Sequence, residues 1–161
     1  MRAHGTLAPP LRSFAVARRG RRAAVIQPEE QAMAKLQWSI TLQVTGGPTV
    51  SSGQNGLDIE AIDHIDVTID PGDADKVVQI QPSAAGKVHL LVVTSDRYGD
   101  KLSFKASDGA TDSAKVVLDA PQVYAGGAAA LFGTDPKELK LTNADADPAQ
   151  VTIVVARDAK V

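Results

Sequence analysis

The sequence contains no cysteine. That absence removes disulfides, thiolate metal centres and a cysteine nucleophile together. It leaves the compartment open, because a small secreted domain can also lack disulfides. Aromatic residues are scarce, at 4% of the chain, and beyond residue 32 they are Trp38, Tyr98, Phe104, Tyr124 and Phe132. A core must therefore be built from Val, Ile, Leu and Ala. The aromatic platform on which a carbohydrate-binding sandwich stacks sugars is reduced to Tyr98 and Tyr124. No apolar run is long enough for a membrane-spanning helix, and Ala23-Ala24-Val25-Ile26 is too short for the core of a secretory signal. There is no G-x-S-x-G elbow and no Gly-rich loop joining a strand to a helix, so a serine-hydrolase site and a phosphate cradle have no sequence support.

The first 32 residues differ from everything after them. They hold Arg2, Arg12, Arg18, Arg19, Arg21 and Arg22 against Glu29 and Glu30, a net of +4. The whole chain is −2, from 17 basic and 19 acidic residues, which leaves residues 33–161 near −6. Three readings fit the leader. An Arg-rich, acid-poor segment suits an organelle transit peptide. A basic arm suits nucleic acid or an acidic surface. Glu29-Glu30 ahead of Met33-Ala34-Lys35 suits in-frame translation of a purine-rich ribosome-binding site before a bacterial start codon. In each case Pro9-Pro10 and Gly20 interrupt any helix, and residues 1–32 are expected to be disordered and outside the fold. Residues 33–161 are expected to form one domain, long enough to bury roughly 65% of its unfolded surface. Its acidity argues against nucleic acid as a partner, except through the basic leader.

What is present is period-two alternation. Leu36, Trp38, Ile40, Leu42 and Val44 alternate with Gln37, Ser39, Thr41, Gln43 and Thr45. That pattern predicts a strand with one buried and one wet face, with Trp38 in the core. Gly46-Gly47-Pro48 stops it, and Ser51 through Gly56 reads as a polar loop. Leu57 to Ile69 alternates again, with Asp63 in the apolar phase, which predicts a bulge or a change of sheet there. Pro71-Gly72-Asp73 is a turn. Val78 and Ile80 end at Pro82, and Ala84-Ala85-Gly86 turns the chain. Val88 to Val93 is apolar on both sides apart from His89, which predicts a central strand whose second face is covered by another element or by a neighbouring subunit. Leu102 to Ala106, a turn at Asp108-Gly109, Val116 to Leu118, Leu139 to Leu141 and Val151 to Val155 complete about eight strands. The expected fold is all-β, a single antiparallel β-sandwich or jelly roll.

Candidate chemistry is sparse. His64, Asp66 and Thr68 share the wet face of one strand, where a His/Asp ladder would suit a divalent metal, but a plain polar face fits as well. His89 reads as a hydrogen-bonded core or interface residue. Asn143, Asp145 and Asp147 have the spacing that opens an EF-hand loop. The match then fails, with Pro148 in place of the glycine and Val154 in place of the bidentate carboxylate. Asp145 and Asp147 remain weak metal candidates, Asp70, Asp73 and Asp75 form a second acidic turn, and no cofactor is expected.

The informative stretch is Val123 to Phe132. It is uncharged and follows neither period, which fits either a buried crossover or a subunit contact anchored by Tyr124, Leu131 and Phe132. With Leu91 and Val93 of the doubly apolar strand, these residues are the expected self-association surface. The sequence therefore points to a non-enzymatic structural subunit of a homo-oligomer, such as a capsid, decoration or tail component of a phage or virus-like particle. A virion or the bacterial cytoplasm is the expected location. The alternative is a binding module for glycan or calcium.

Overall fold

The computed structural model describes residues 34–81, 87–133 and 135–158. The basic leader 1–32, Pro82 and the turn expected at Ala84-Ala85-Gly86 lie outside the described residues. Ten strands follow in order: β1 (Ala34–Gln43), β2 (Thr49–Ile59), β3 (Ala61–Ile69), β4 (Lys76–Gln79), β5 (Val88–Ser95), β6 (Leu102–Ser107), β7 (Val116–Val117), β8 (Gln122–Ala125), β9 (Glu138–Asn143) and β10 (Ala149–Arg157). A 3₁₀ helix, Gly126–Phe132, links β8 to β9.

Strands β3 to β10 form two four-stranded antiparallel sheets, ordered β3-β10-β5-β8 and β4-β9-β6-β7. β3 pairs with β10, β4 with β9, β5 with β8 and β6 with β7. This is one long antiparallel hairpin rolled into a sandwich, the jelly-roll topology. The alternating residues set the inner faces. Val151, Ile153 and Val155 of β10 meet Leu139 and Leu141 of β9 and Phe104 of β6 in a closed core. Each such side chain contributes roughly 1.5–3 kcal/mol on burial. Phe104 stacks edge-on against Phe132 at 6.2 Å and Tyr124 at 6.5 Å, centroid to centroid.

β5 is an interior strand, and its apolar residues serve two clusters. Leu91 and Val93 point into the sandwich core. Leu90 and Val92 point outward, where Leu36, Trp38, Leu57 and Ile59 of β1 and β2 cover them. Of the two covers the sequence allowed for the second face of this strand, the structure has another element of the same chain.

β1 and β2 form a separate two-stranded ribbon rather than a layer of the sandwich. This corrects the expectation that β1 is a core strand. Leu36 is buried at the ribbon base, Trp38 is half-buried, and every residue from Thr41 to Gly56 is exposed. It also corrects the polar loop expected over Ser51 to Gly56, which lies within β2. Two glycines permit the pairing. Gly53 sits opposite Ser39, and a Cβ there would lie 2.5 Å from the Trp38 carbonyl oxygen. Gly56 has φ +69°, in the left-handed region, where the register steps from Leu36↔Leu57 to Trp38↔Gln54. A glycine in that conformation is what a bulge of this kind requires.

The change of sheet expected near Asp63 occurs instead at Glu60, between β2 in the ribbon and β3 in the sandwich. Asp63 stays in phase within β3 because it has a partner. Its Oδ2 accepts a hydrogen bond from Nη2 of the buried Arg157 at 2.7 Å.

Phe104→Ala is expected to lower global stability by about 3–5 kcal/mol, as large cavities in tight cores do. Gly53→Ala is expected to spare the cooperative melt of the sandwich. It should shift the fluorescence of Trp38, the only tryptophan, towards that of a solvated indole. Far-ultraviolet circular dichroism and tryptophan emission, followed in the same denaturant titration, separate the two effects. Equal losses of stability would show that the ribbon is not independent of the sandwich.

Candidate functional site

The turns joining β3–β4, β5–β6 and β9–β10 meet at one end of the jelly roll. Gly72 N–H donates to the Asn143 carbonyl and Ala144 N–H to that of Lys101. Asn143 holds this end together, because its buried amide donates to the carbonyls of Ile69 and Asp147 while its Oδ1 accepts from Asp145 N–H. A polar cleft of about 270 Å³ opens here, lined by Arg97, Tyr98, Lys101, Asp145 and Asp147 among others. The structure thus brings both weak metal candidates beside Tyr98.

Both carboxylates face cations supplied by the chain. Arg97 donates to Asp147 at 3.0 Å, and Lys101 Nζ lies 4.0 Å from Asp145. The Tyr98 hydroxyl accepts from Ser95 N–H at 3.0 Å. His64 stands 3.5 Å from Asp66 on the wet face of β3, both well exposed. Among the described residues, no group of three His, Asp or Glu side chains is arranged to hold a metal ion. His89 Nε2 lies 2.7 Å from Asp158 Oδ1 at the opposite end of the sandwich.

The groups with displaced proton affinities sit in surface ion pairs. The Lys140 ammonium, donating to Asp112 at 2.6 Å, is the main reason the Asp112 carboxyl is held below the carboxylate range. The same contact raises the affinity of Lys140 for its proton. Lys76, donating at 2.9 Å, does the same to Asp73, helped by the Asp70 N–H. Burial pushes the Tyr124 hydroxyl upward. Lys140 also lines an open cleft of about 380 Å³ with Asp75 and Lys105, and the geometry of these pairs is that of salt bridges between strands and turns.

The residues expected to make the self-association surface divide sharply. Leu91, Val93 and Phe132 are buried within the chain's own core. Phe132 packs on Tyr124 at 4.7 Å between ring centroids. These three side chains are packed inside the sandwich of their own chain. Tyr124 is half-buried, whereas Leu131 is 83% exposed. The stretch is therefore a crossover on its inner side and a bare apolar surface on its outer side.

The larger apolar surface was hidden in the first strand and its partner. Leu42 is 62% exposed, Val44 63% and Val50 56%, and Leu42 stands directly opposite Val50. Val44 follows just beyond β1, and Ile40, Leu42 and Val50 share one face of the ribbon. Its other face carries Thr41 hydrogen-bonded to Ser51. A signal for this site lay in the sequence, since residues 36–57 contain no Asp, Glu, Lys or Arg in a chain that is 22% charged. Among the described residues the ribbon's one ion pair, Lys35 with Asp58, lies at its base. No protein-family model matches the sequence, and no curated protein matches it.

Two outcomes are expected. Calcium at millimolar concentration should leave the melting midpoint where a chelator leaves it, because Arg97 and Lys101 already neutralise the cleft carboxylates. A gain that grows with calcium concentration would show displacement of those cations. In acid, the depressed affinities of Asp73 and Asp112 mean that their stabilisation is complete above the ordinary carboxylate value of 3.8. It is lost as pH falls through their lower folded values. Asp73→Asn/Asp112→Asn should lower the midpoint at neutral pH and flatten its decline in acid. An unchanged acid slope would show that neither pair carries this stability.

Proposed function

We propose that this chain is a non-enzymatic structural subunit that self-associates, with the β1–β2 ribbon as its docking arm. One observation carries the reading: the distal ribbon exposes Leu42 and Val50 on one face, with Val44 exposed just beyond β1, and every residue from Thr41 to Gly56 is exposed. At about 3.3 Å per residue, β1 runs roughly 15–20 Å past Trp38. A two-stranded ribbon alone is at best marginally stable in water, so this one gains most from a partner that covers its apolar face. Absence of charge is the composition of an interface centre rather than of a solvated surface. The rest of the molecule contrasts with it, since ion pairs such as Lys105–Asp75 and Lys140–Asp112 lace the outer face of the β4–β9–β6–β7 sheet.

The kind of assembly follows by analogy of fold alone. Small jelly rolls serve as capsid subunits, and also as lectins and cupins. A capsid, decoration or tail component of a phage or virus-like particle fits a cysteine-free jelly roll with a projecting arm, and a virion or the bacterial cytoplasm fits that role. Among the described residues no helix is long and apolar enough to cross a membrane. A second reading, a ligand-binding module, is favoured by the polar cleft beside Tyr98.

Size-exclusion chromatography with light scattering on the full chain tests the reading. The wild type is expected to run as an oligomer. Leu42→Asp/Val50→Asp, which places charges on two exposed side chains, is expected to run as a folded species of smaller mass with an unchanged melt. A wild-type monomer at all accessible concentrations would overturn the proposal.

A further inference from the structure

Among the described residues the two jelly-roll sheets end in four unpaired edges, and three are protected or too short for pairing. β3 carries Asp63, His64 and Asp66, β4 opens with Lys76, and β7 is two residues long and follows Lys115. Charges and brevity are how edge strands are kept from pairing with other chains. β8 has neither charge, and residues 120–134 contain no Asp, Glu, Lys or Arg. It carries Val123, 41% exposed, and the 3₁₀ helix after it carries Leu131, 83% exposed. The ribbon offers the other unprotected edge. β2 is interrupted by its glycine bulge, which spoils a regular ladder. β1 runs from Ala34 to Gln43 with no glycine, no proline and a single charge at Lys35.

We propose that β1 of one copy adds as a fifth strand to the β8 edge of a second copy, extending the β3-β10-β5-β8 sheet. Strand addition at an open edge supplies main-chain hydrogen bonds, and side-chain contacts supply the choice of partner. Here the side chains are Ile40 and Leu42 on the ribbon and Val123 and Leu131 on the receiver. The occupant is a second copy because both uncharged, unprotected edges belong to this one chain, and a single type of contact covers both. Ribbon-to-ribbon pairing would leave β8 and Leu131 bare. The inference rests on the assembly reading above and specifies its contact.

The chain has no native thiol, so single-cysteine variants of the full-length protein report the contact without background. Thr41→Cys and Val123→Cys are prepared separately, one of them isotopically labelled, then mixed and treated with a short bis-maleimide. Mass spectrometry should find mainly labelled–unlabelled products joining residue 41 to residue 123. Leu131→Asp, at a site already in water, should cut their yield roughly tenfold, the scale of a lost interface anchor, at an unchanged melting midpoint. Products joining residue 41 only to residue 41, or an oligomer that yields no 41–123 product, would overturn the β8 contact while leaving self-association intact. A monomeric wild type by light scattering would remove the assembly reading and this contact together.

Discussion

β5 is apolar on both faces, and a strand of that kind cannot lie on the wet surface of a sheet. Its inner residues, Leu91 and Val93, are satisfied by the opposing sheet. Its outer residues, Leu90 and Val92, have no sheet to meet and are covered by the ribbon base through Leu36, Trp38, Leu57 and Ile59. This one requirement pins the ribbon to the sandwich. The bend at Glu60 then lets a single run of chain serve the ribbon as β2 and the sandwich as β3. Once the base is fixed, the remaining length of the ribbon has no surface to lie on among the described residues.

The molecule distributes charge accordingly. The acidic turns at one end of the jelly roll are neutralised locally, Asp147 by Arg97 and Asp73 by Lys76, so they brace the loops without collecting into a site. Exposed pairs of this kind contribute little each. Their value lies in keeping the wet faces soluble and the edges of β3 and β4 closed to pairing. Against that background, the ribbon and the β8 stretch are the two places where the polar mosaic stops.

Much of the fold was legible because buried strands must alternate. β3, β6, β9 and β10 follow from their Val, Ile, Leu and Phe spacing, and the doubly apolar β5 announced a second cover. The expected count of eight strands was reached differently, however. It included β1, which lies outside the jelly roll, and lacked β2 and β8. β2 was illegible because a strand that buries nothing beyond its base has no reason to alternate. Ser51-Ser52-Gly53-Gln54-Asn55-Gly56 is polar on both faces and depends on glycines that usually mark turns. β8 is too short to show a period, and the 3₁₀ helix after it buries only Ala129 and Phe132. Trp38 misled for a physical reason as well. Its indole N–H is closed off from solvent, yet has no acceptor among the described residues, so the side chain gains less from its half-buried place than its size suggests.

The absence of charge along the ribbon has a consequence for how such subunits would meet. Surfaces without ionised groups are not steered together over a Debye length, so encounter is left to diffusion and orientation. Contacts of the proposed kind would have no Coulomb term for added sodium chloride to screen. Excluded salts such as sulfate would strengthen them, and cooling would weaken them, as for any contact driven by apolar burial. A particle joined by these ribbons would hold at high ionic strength and loosen in the cold, the reverse of one held by ion pairs.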